Sequence, residues 1–152
     1  MPKISRSRTI PADSTAVWSV VGDPYNLRRW WPRVERVEQV SDGQFTEVLR
    51  SERGRAIRAD HRLTQMFEER EITWEQEIED TPFARVMTFA STSITLEATG
   101  DGRTKVTITR QQTMRGWARF GGGMMVRRAT ARVLDDALEH LEADIADLLA
   151  KS

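Results

Sequence analysis

The chain has 152 residues, 23 basic and 23 acidic side chains, no cysteine, and two histidines, His61 and His140. Its length points to one domain, 1–152, able to bury roughly 70% of its unfolded surface, and the missing cysteines exclude a disulfide framework, a thiolate metal site and a cysteine nucleophile. A formal net charge of zero argues against a general nucleic-acid binder, and two distant histidines without HExxH-like spacing give no zinc or triad signature, so no metal or cofactor is expected.

The first ten residues hold no apolar h-region, and no stretch approaches the roughly 20 apolar residues of a membrane span. The expectation is a soluble, cytoplasmic protein without integral membrane association. Residues 3–10 read as a short strand. Pro11 interrupts it, Asp13 or Ser14 caps a helix through Val17, Trp18, Val20 and Val21, and Gly22 ends that helix. Asp23-Pro24 restarts a helix, with the aspartate as N-cap and the proline as first helical residue. This second helix must stop at Trp31, because the residue before Pro32 is pushed out of the α region.

Residues 33–113 read as six strands separated by turns. "SDGQ" (Ser41 to Gln44) and "ERGR" (Glu52 to Arg55) are turn-like, and "GDGR" (Gly100 to Arg103) is a hairpin signal. Ile72, Trp74, Gln76 and Ile78 alternate with Thr73, Glu75, Glu77 and Glu79, which predicts one buried and one solvated face. Around the GDGR turn, Ile94 and Leu96 face inward with Val106 and Ile108. The glycine-rich "RFGGGMM" breaks the pattern, and a helix follows from about Gly123 to Ala150. Its apolar stripe is Val126, Thr130, Val133, Leu134, Ala137, Leu138, Leu141, Ile145, Leu148 and Leu149, spaced to lay one face on the sheet. The order strand, two short helices, six strands, long helix predicts an α+β fold.

Particular segments carry a resemblance. Ile10-Pro11-Ala12, Val17-Trp18, Asp23-Pro24, Trp31-Pro32 and Val34, then "GDGRTKVTIT" and the amphipathic C-terminal helix, stand in the order and spacing of the START-like, Bet v 1-like (SRPBCC) superfamily. Specifically, the chain resembles the bacterial polyketide cyclase/dehydrase and lipid-transport branch over essentially its whole length. The resemblance implies a helix-grip fold: a curved antiparallel sheet of about seven strands wrapped around the terminal helix, enclosing an internal cavity. It also implies binding of a hydrophobic or amphipathic small molecule there; some members cyclise or aromatise polyketides. Fold does not fix function, and the lone Tyr25 sits on the second helix, so catalytic residues are not assigned.

Candidate ligand contacts follow from inward parity and flexible apolar segments. Consecutive helical positions point about 100° apart, so one face cannot hold both Trp30 and Trp31. Either both pack, or one is an anchor and the other a cavity wall; the resemblance makes Trp31 the anchor and leaves Trp30 as the contact. Trp74 and Gln76 face inward, and the glutamine amide needs either cavity water or a protein partner. Arg110 continues the parity of Val106 and Ile108, so it meets an anion inside, or a bulge or strand end turns it outward, the outcome favoured here. His61 shares parity with Leu63 and Phe67 and is expected to be a satisfied, half-buried histidine, with Asp60 and Arg62 outward.

Met114, Trp117, Phe120, Met124 and Met125 on "TMRGWARFGGGMMVRR" suit either ordinary packing or an adaptable apolar lid. Gly121-Gly122-Gly123 lacks a Walker lysine and GxGxxG spacing, which argues against nucleotide binding. Arg115, Arg119, Arg127, Arg128 and Arg132 precede Asp135, Asp136, Glu139, Glu142, Asp144 and Asp147, the reverse of what a helix dipole favours. Either packing overrides this, or the arginines, Arg128 among them, form a basic rim for an anionic headgroup or an anionic carrier protein.

The leading expectation is a cavity binder of a lipid- or polyketide-like molecule. An alternative is a polyketide cyclase/aromatase-like enzyme that works largely by orientation. Another is a protein-interaction module using the basic rim and the acidic strand "EEREITWEQEIED". The oligomeric state is left open.

Overall fold

A computed structural model of the chain describes residues 3–116 and 123–151. The elements are β1 (Lys3–Ile10), α1 (Ser14–Val21), a 3-10 turn (Pro24–Asn26), α2 (Leu27–Trp30), β2 (Val34–Ser41), β3 (Gln44–Arg50), β4 (Ala56–Phe67), β5 (Glu71–Gln76), a second 3-10 turn (Pro82–Arg85), β6 (Met87–Ala98), β7 (Thr104–Met114) and α3 (Gly123–Ala150).

Local chemistry sets the helix ends. The Ala16 amide donates to Asp13 Oδ1 at 2.9 Å, so Asp13 is the cap of α1. The Tyr25 amide donates to Asp23 Oδ1 at 3.0 Å. Pro24 opens a tight 3-10 turn that passes into the four residues of α2, rather than one uniform helix. Trp31 is extended (φ −86°, ψ 127°), as the following proline requires. The β2–β3 turn uses Asp42 (φ 48°) and Gly43 (φ 79°), the paired positive values of a two-residue hairpin turn.

All seven strands form one antiparallel sheet in the order β1-β7-β6-β5-β4-β3-β2. β2 to β7 are joined as successive neighbours, while β1 lies beyond β7; α1 and α2 therefore carry the chain from one sheet edge to the other. The fold is α+β, an open curved sheet gripping a long C-terminal helix. The concave face supplies Ile72, Ile94, Val106 and Ile108, and α3 answers with Leu134, Ala137, Leu138, Leu141 and Ile145, all buried in one core. A buried leucine or isoleucine contributes roughly 1.5–3 kcal/mol relative to exposure, so this seam dominates the fold. A smaller core, Ile78, Met87 and Ala90 with Met114 against it, closes the other end of the sheet.

Three expectations change. Leu148 and Leu149 are 40% and 47% exposed, because the buried stripe of α3 ends at Ile145. Phe67 is 54% exposed: the register slips between Leu63 and Gln65, so Met66 rather than Gln65 opposes Ile72 and Phe67 loses the parity of Leu63. One slipped residue moves every later side chain to the opposite face. Arg110 is not turned out by a bulge, since β7 runs in unbroken register from Thr104 to Gln111 against β1.

The reversed charges of α3 also find an explanation. Arg6 pairs with Asp135 at 3.5 Å, Arg8 with Glu142 at 3.0 Å and Arg29 with Asp144 at 3.2 Å. The acidic half of the helix thus faces arginines on β1 and α2. Each such surface pair is worth about 0–1 kcal/mol, comparable to the helix-dipole penalty it offsets.

Candidate functional site

Strand register lays the polar residues of the concave face in rows. Ile4, Arg110, Thr92, Trp74 and Leu63 stand opposite one another across β1, β7, β6, β5 and β4. Gln76, His61 and Phe45 form an adjacent row on β5, β4 and β3. Glu47, two residues along β3 from Phe45, opposes Ala59 and so shares this face. Trp74 anchors the wall: its ring lies 5.7 Å from Phe45, 6.2 Å from Trp31 and 6.5 Å from His61, each edge to face.

Charges and hydrogen bonds in these rows are incomplete. Glu47 and His61 are 6% and 5% exposed, with Glu47 Oε2 3.3 Å from His61 Nε2. The approach lies off the line a hydrogen bond needs, so both ring nitrogens of His61 lack a hydrogen bond among the described residues, as does Gln76 Nε2. Arg110 retains some accessible surface, yet burial pushes its pKa down, opposed only by the charge of Glu47. Desolvation disfavours the charged form of a guanidinium that has no carboxylate beside it. β7 and β3 are four neighbours apart in the sheet, about 19 Å if it were flat; the curvature and the long side chains let the two charges interact.

The structure distributes the expected contact residues as follows. Trp74, Gln76 and Arg110 converge on the concave face. Trp30, expected at the cavity wall, is 1% exposed, deeper than Trp31 at 7%. The 100° separation does not apply, because Trp31 is already extended, and the two rings meet edge to face at 5.4 Å. The Trp30 indole N–H is buried without a partner among the described residues. Trp117 and Phe120 lie outside the described residues, as do Gly121 and Gly122. Met124 and Met125 are 66% and 65% exposed, and Arg128 is exposed as well.

His61 is fully buried rather than half-buried and lacks a hydrogen-bond partner among the described residues, and Glu47 beside it is a site residue that the sequence pattern does not mark. The alternation Phe45, Glu47, Leu49 could have placed that carboxylate inward, but Thr46 and Val48 between them are buried as well, which hides the parity. Asp60 does face outward, where it accepts from Thr46 Oγ1 at 2.6 Å. Among the described residues no group of three or more acids and histidines is placed to hold a metal ion, and no helix is long and apolar enough to cross a membrane.

Residues 1–146 match the family model described as polyketide cyclase / dehydrase and lipid transport. Solved structures with similar folds include a conserved protein from Geobacillus kaustophilus (TM-score 0.79, 17% identity, 96% of each chain covered). A START superfamily protein from Mycobacterium smegmatis gives a TM-score of 0.79 at 14% identity, covering 96% of this chain and 98% of that one. The Zhui aromatase/cyclase from a Streptomyces species gives 0.78 at 16% identity, covering 95% and 93%. A search of curated protein sequences gives no match.

Proposed function

The chain belongs to the polyketide cyclase/dehydrase and lipid-transport family, and on that premise we propose that it binds a hydrophobic or amphipathic small molecule, lipid- or polyketide-like, inside the grip of the sheet. The ligand's polar end carries hydrogen-bond acceptors. The observation that carries this reading is the set of donors left over on the concave face: the Arg110 guanidinium, the Gln76 amide and a ring N–H of His61. Each buried unsatisfied group costs about 1–3 kcal/mol, which a carbonyl or carboxylate oxygen would recover. Trp74, packed edge to face on Phe45 and Trp31, supplies the apolar wall.

Native mass spectrometry of freshly purified protein, compared with its denatured mass, detects a retained ligand. Calorimetric titration with dodecanoate and dodecanol then tests the polar preference. The acid is expected to bind about tenfold tighter or more, a charge-assisted hydrogen bond being worth roughly 1.5–3 kcal/mol. Equal affinity for acid and alcohol would refute the reading.

A second reading, a cyclase- or dehydratase-type enzyme, is favoured by the buried Glu47–His61 approach of 3.3 Å, an acid–base pair on the ligand-facing side. There Glu47→Gln would leave dodecanoate binding in place and abolish turnover of a flexible β-keto substrate.

A further inference from the structure

A cleft of about 370 Å³ lies between β1 and the first part of α3, Met124 to Ala131. That is within the size range of small-ligand pockets, roughly 300–1,000 Å³. Lys3 and Arg6 border it from the strand, and Arg127 and Arg128 from the helix, with Ile4 and Met124 as its apolar part. Among the described residues no carboxylate lines it. Arg6 has its own partner in Asp135, whereas Lys3, Arg127 and Arg128 have no carboxylate within ion-pair distance among the described residues.

Three cations held around one concavity repel one another unless an anion sits between them. A carboxylate answers one cation; a phosphate offers several oxygens at once, and arginine forks match its geometry in pairs. Met124 is two-thirds exposed beside these charges, and methionine suits an apolar body of variable shape. The acidic half of α3 from a second copy is a poorer occupant, because Asp135, Glu142 and Asp144 already serve arginines of their own chain.

We propose that this cleft is a second binding site, for a phosphate group carried on an apolar body. Arg110, Gln76 and His61 are not among its lining residues, although Ile4, which is, stands opposite Arg110 on the β1–β7 ladder. The proposal does not depend on what the interior binds.

Two probes distinguish the sources of such a phosphate. Titration with glycerol 3-phosphate, followed by amide NMR shifts, is expected to move residues 3–6 and 124–131 if a soluble ester is the ligand. Cosedimentation with phosphatidylcholine vesicles containing phosphatidylglycerol is expected if the phosphate belongs to a bilayer lipid. The variant Arg127→Glu/Arg128→Glu, checked for an unchanged far-ultraviolet spectrum and urea midpoint, should weaken whichever binding is seen by about tenfold or more. Arg110→Met should leave it in place. No binding of either probe, binding untouched by the double reversal, or an equal loss in Arg110→Met would each overturn the proposal.

Discussion

Replacing Arg110 with methionine should make the protein more stable and a poorer binder. The guanidinium is desolvated, and its only described electrostatic support is the distant charge of Glu47. A desolvated polar group without a hydrogen-bond partner costs about 1–3 kcal/mol, more when charged, and an apolar side chain of similar volume removes that cost. Methionine keeps most of the aliphatic stem, so little packing is lost. Glu47 loses a compensating charge, which places the net gain in the lower half, about 1–2 kcal/mol. With a urea slope of about 2 kcal/mol/M, the midpoint should rise by about 0.5–1 M at unchanged slope. The same variant should lose the preference for dodecanoate over dodecanol, the familiar exchange of stability for function. A midpoint that falls by the same amount would mean that Arg110 is satisfied within the protein, and the argument for an acceptor-bearing ligand would collapse with it.

Trp74→Ala should cost about 3–5 kcal/mol in urea unfolding, since the ring is 3% exposed and meets three other rings; a loss under about 1 kcal/mol would show that the ring is not part of a packed wall. Acidification should erode stability through the outer-face carboxylates. Glu35 takes Arg50 Nη2 at 2.7 and 2.8 Å, Glu38 takes Arg36 at 2.6 Å and Arg58 at 3.3 Å, and Asp101 takes the Thr99 hydroxyl, each hydrogen bond holding its carboxylate below the usual range. Groups depressed in the folded state stabilise it above their unfolded pKa and release that contribution as pH falls through the folded value. The urea midpoint should therefore hold from neutrality to about pH 5 and drop below about pH 4, less steeply in high salt. A midpoint that climbs on acidification would refute this assignment.

Element boundaries were legible because short-range chemistry sets them. Asp13 caps α1, Asp23-Pro24 restarts the chain, Pro32 stops α2, and the period-two pattern of Ile72 to Gln76 declares which face of β5 is inside. Where the sequence pattern misled, a long-range or irregular feature was responsible. The slip after Leu63 that turns Phe67 outward leaves no trace in residue types. Glu47 and His61 meet across a strand pairing that depends on the register of β3 with β4. The acids of α3 looked anomalous because their arginines stand more than a hundred residues away on β1 and α2. Arg110 shows the converse: parity alone placed it inside, and the bulge favoured for it reflected the expected cost of an unpaired cation rather than any feature of the strand.

The three arginine bridges to α3 begin at Asp135, and its fully buried residues run from Leu134 to Ile145. The preceding turns carry partly buried side chains and the Thr130–Gln112 hydrogen bond of 3.4 Å. The helix is thus a cantilever, clamped over its second half and overhanging the sheet with its first. No strand ladder of the sheet runs through that overhang, so the strands and the clamped half of α3 together act as its mount.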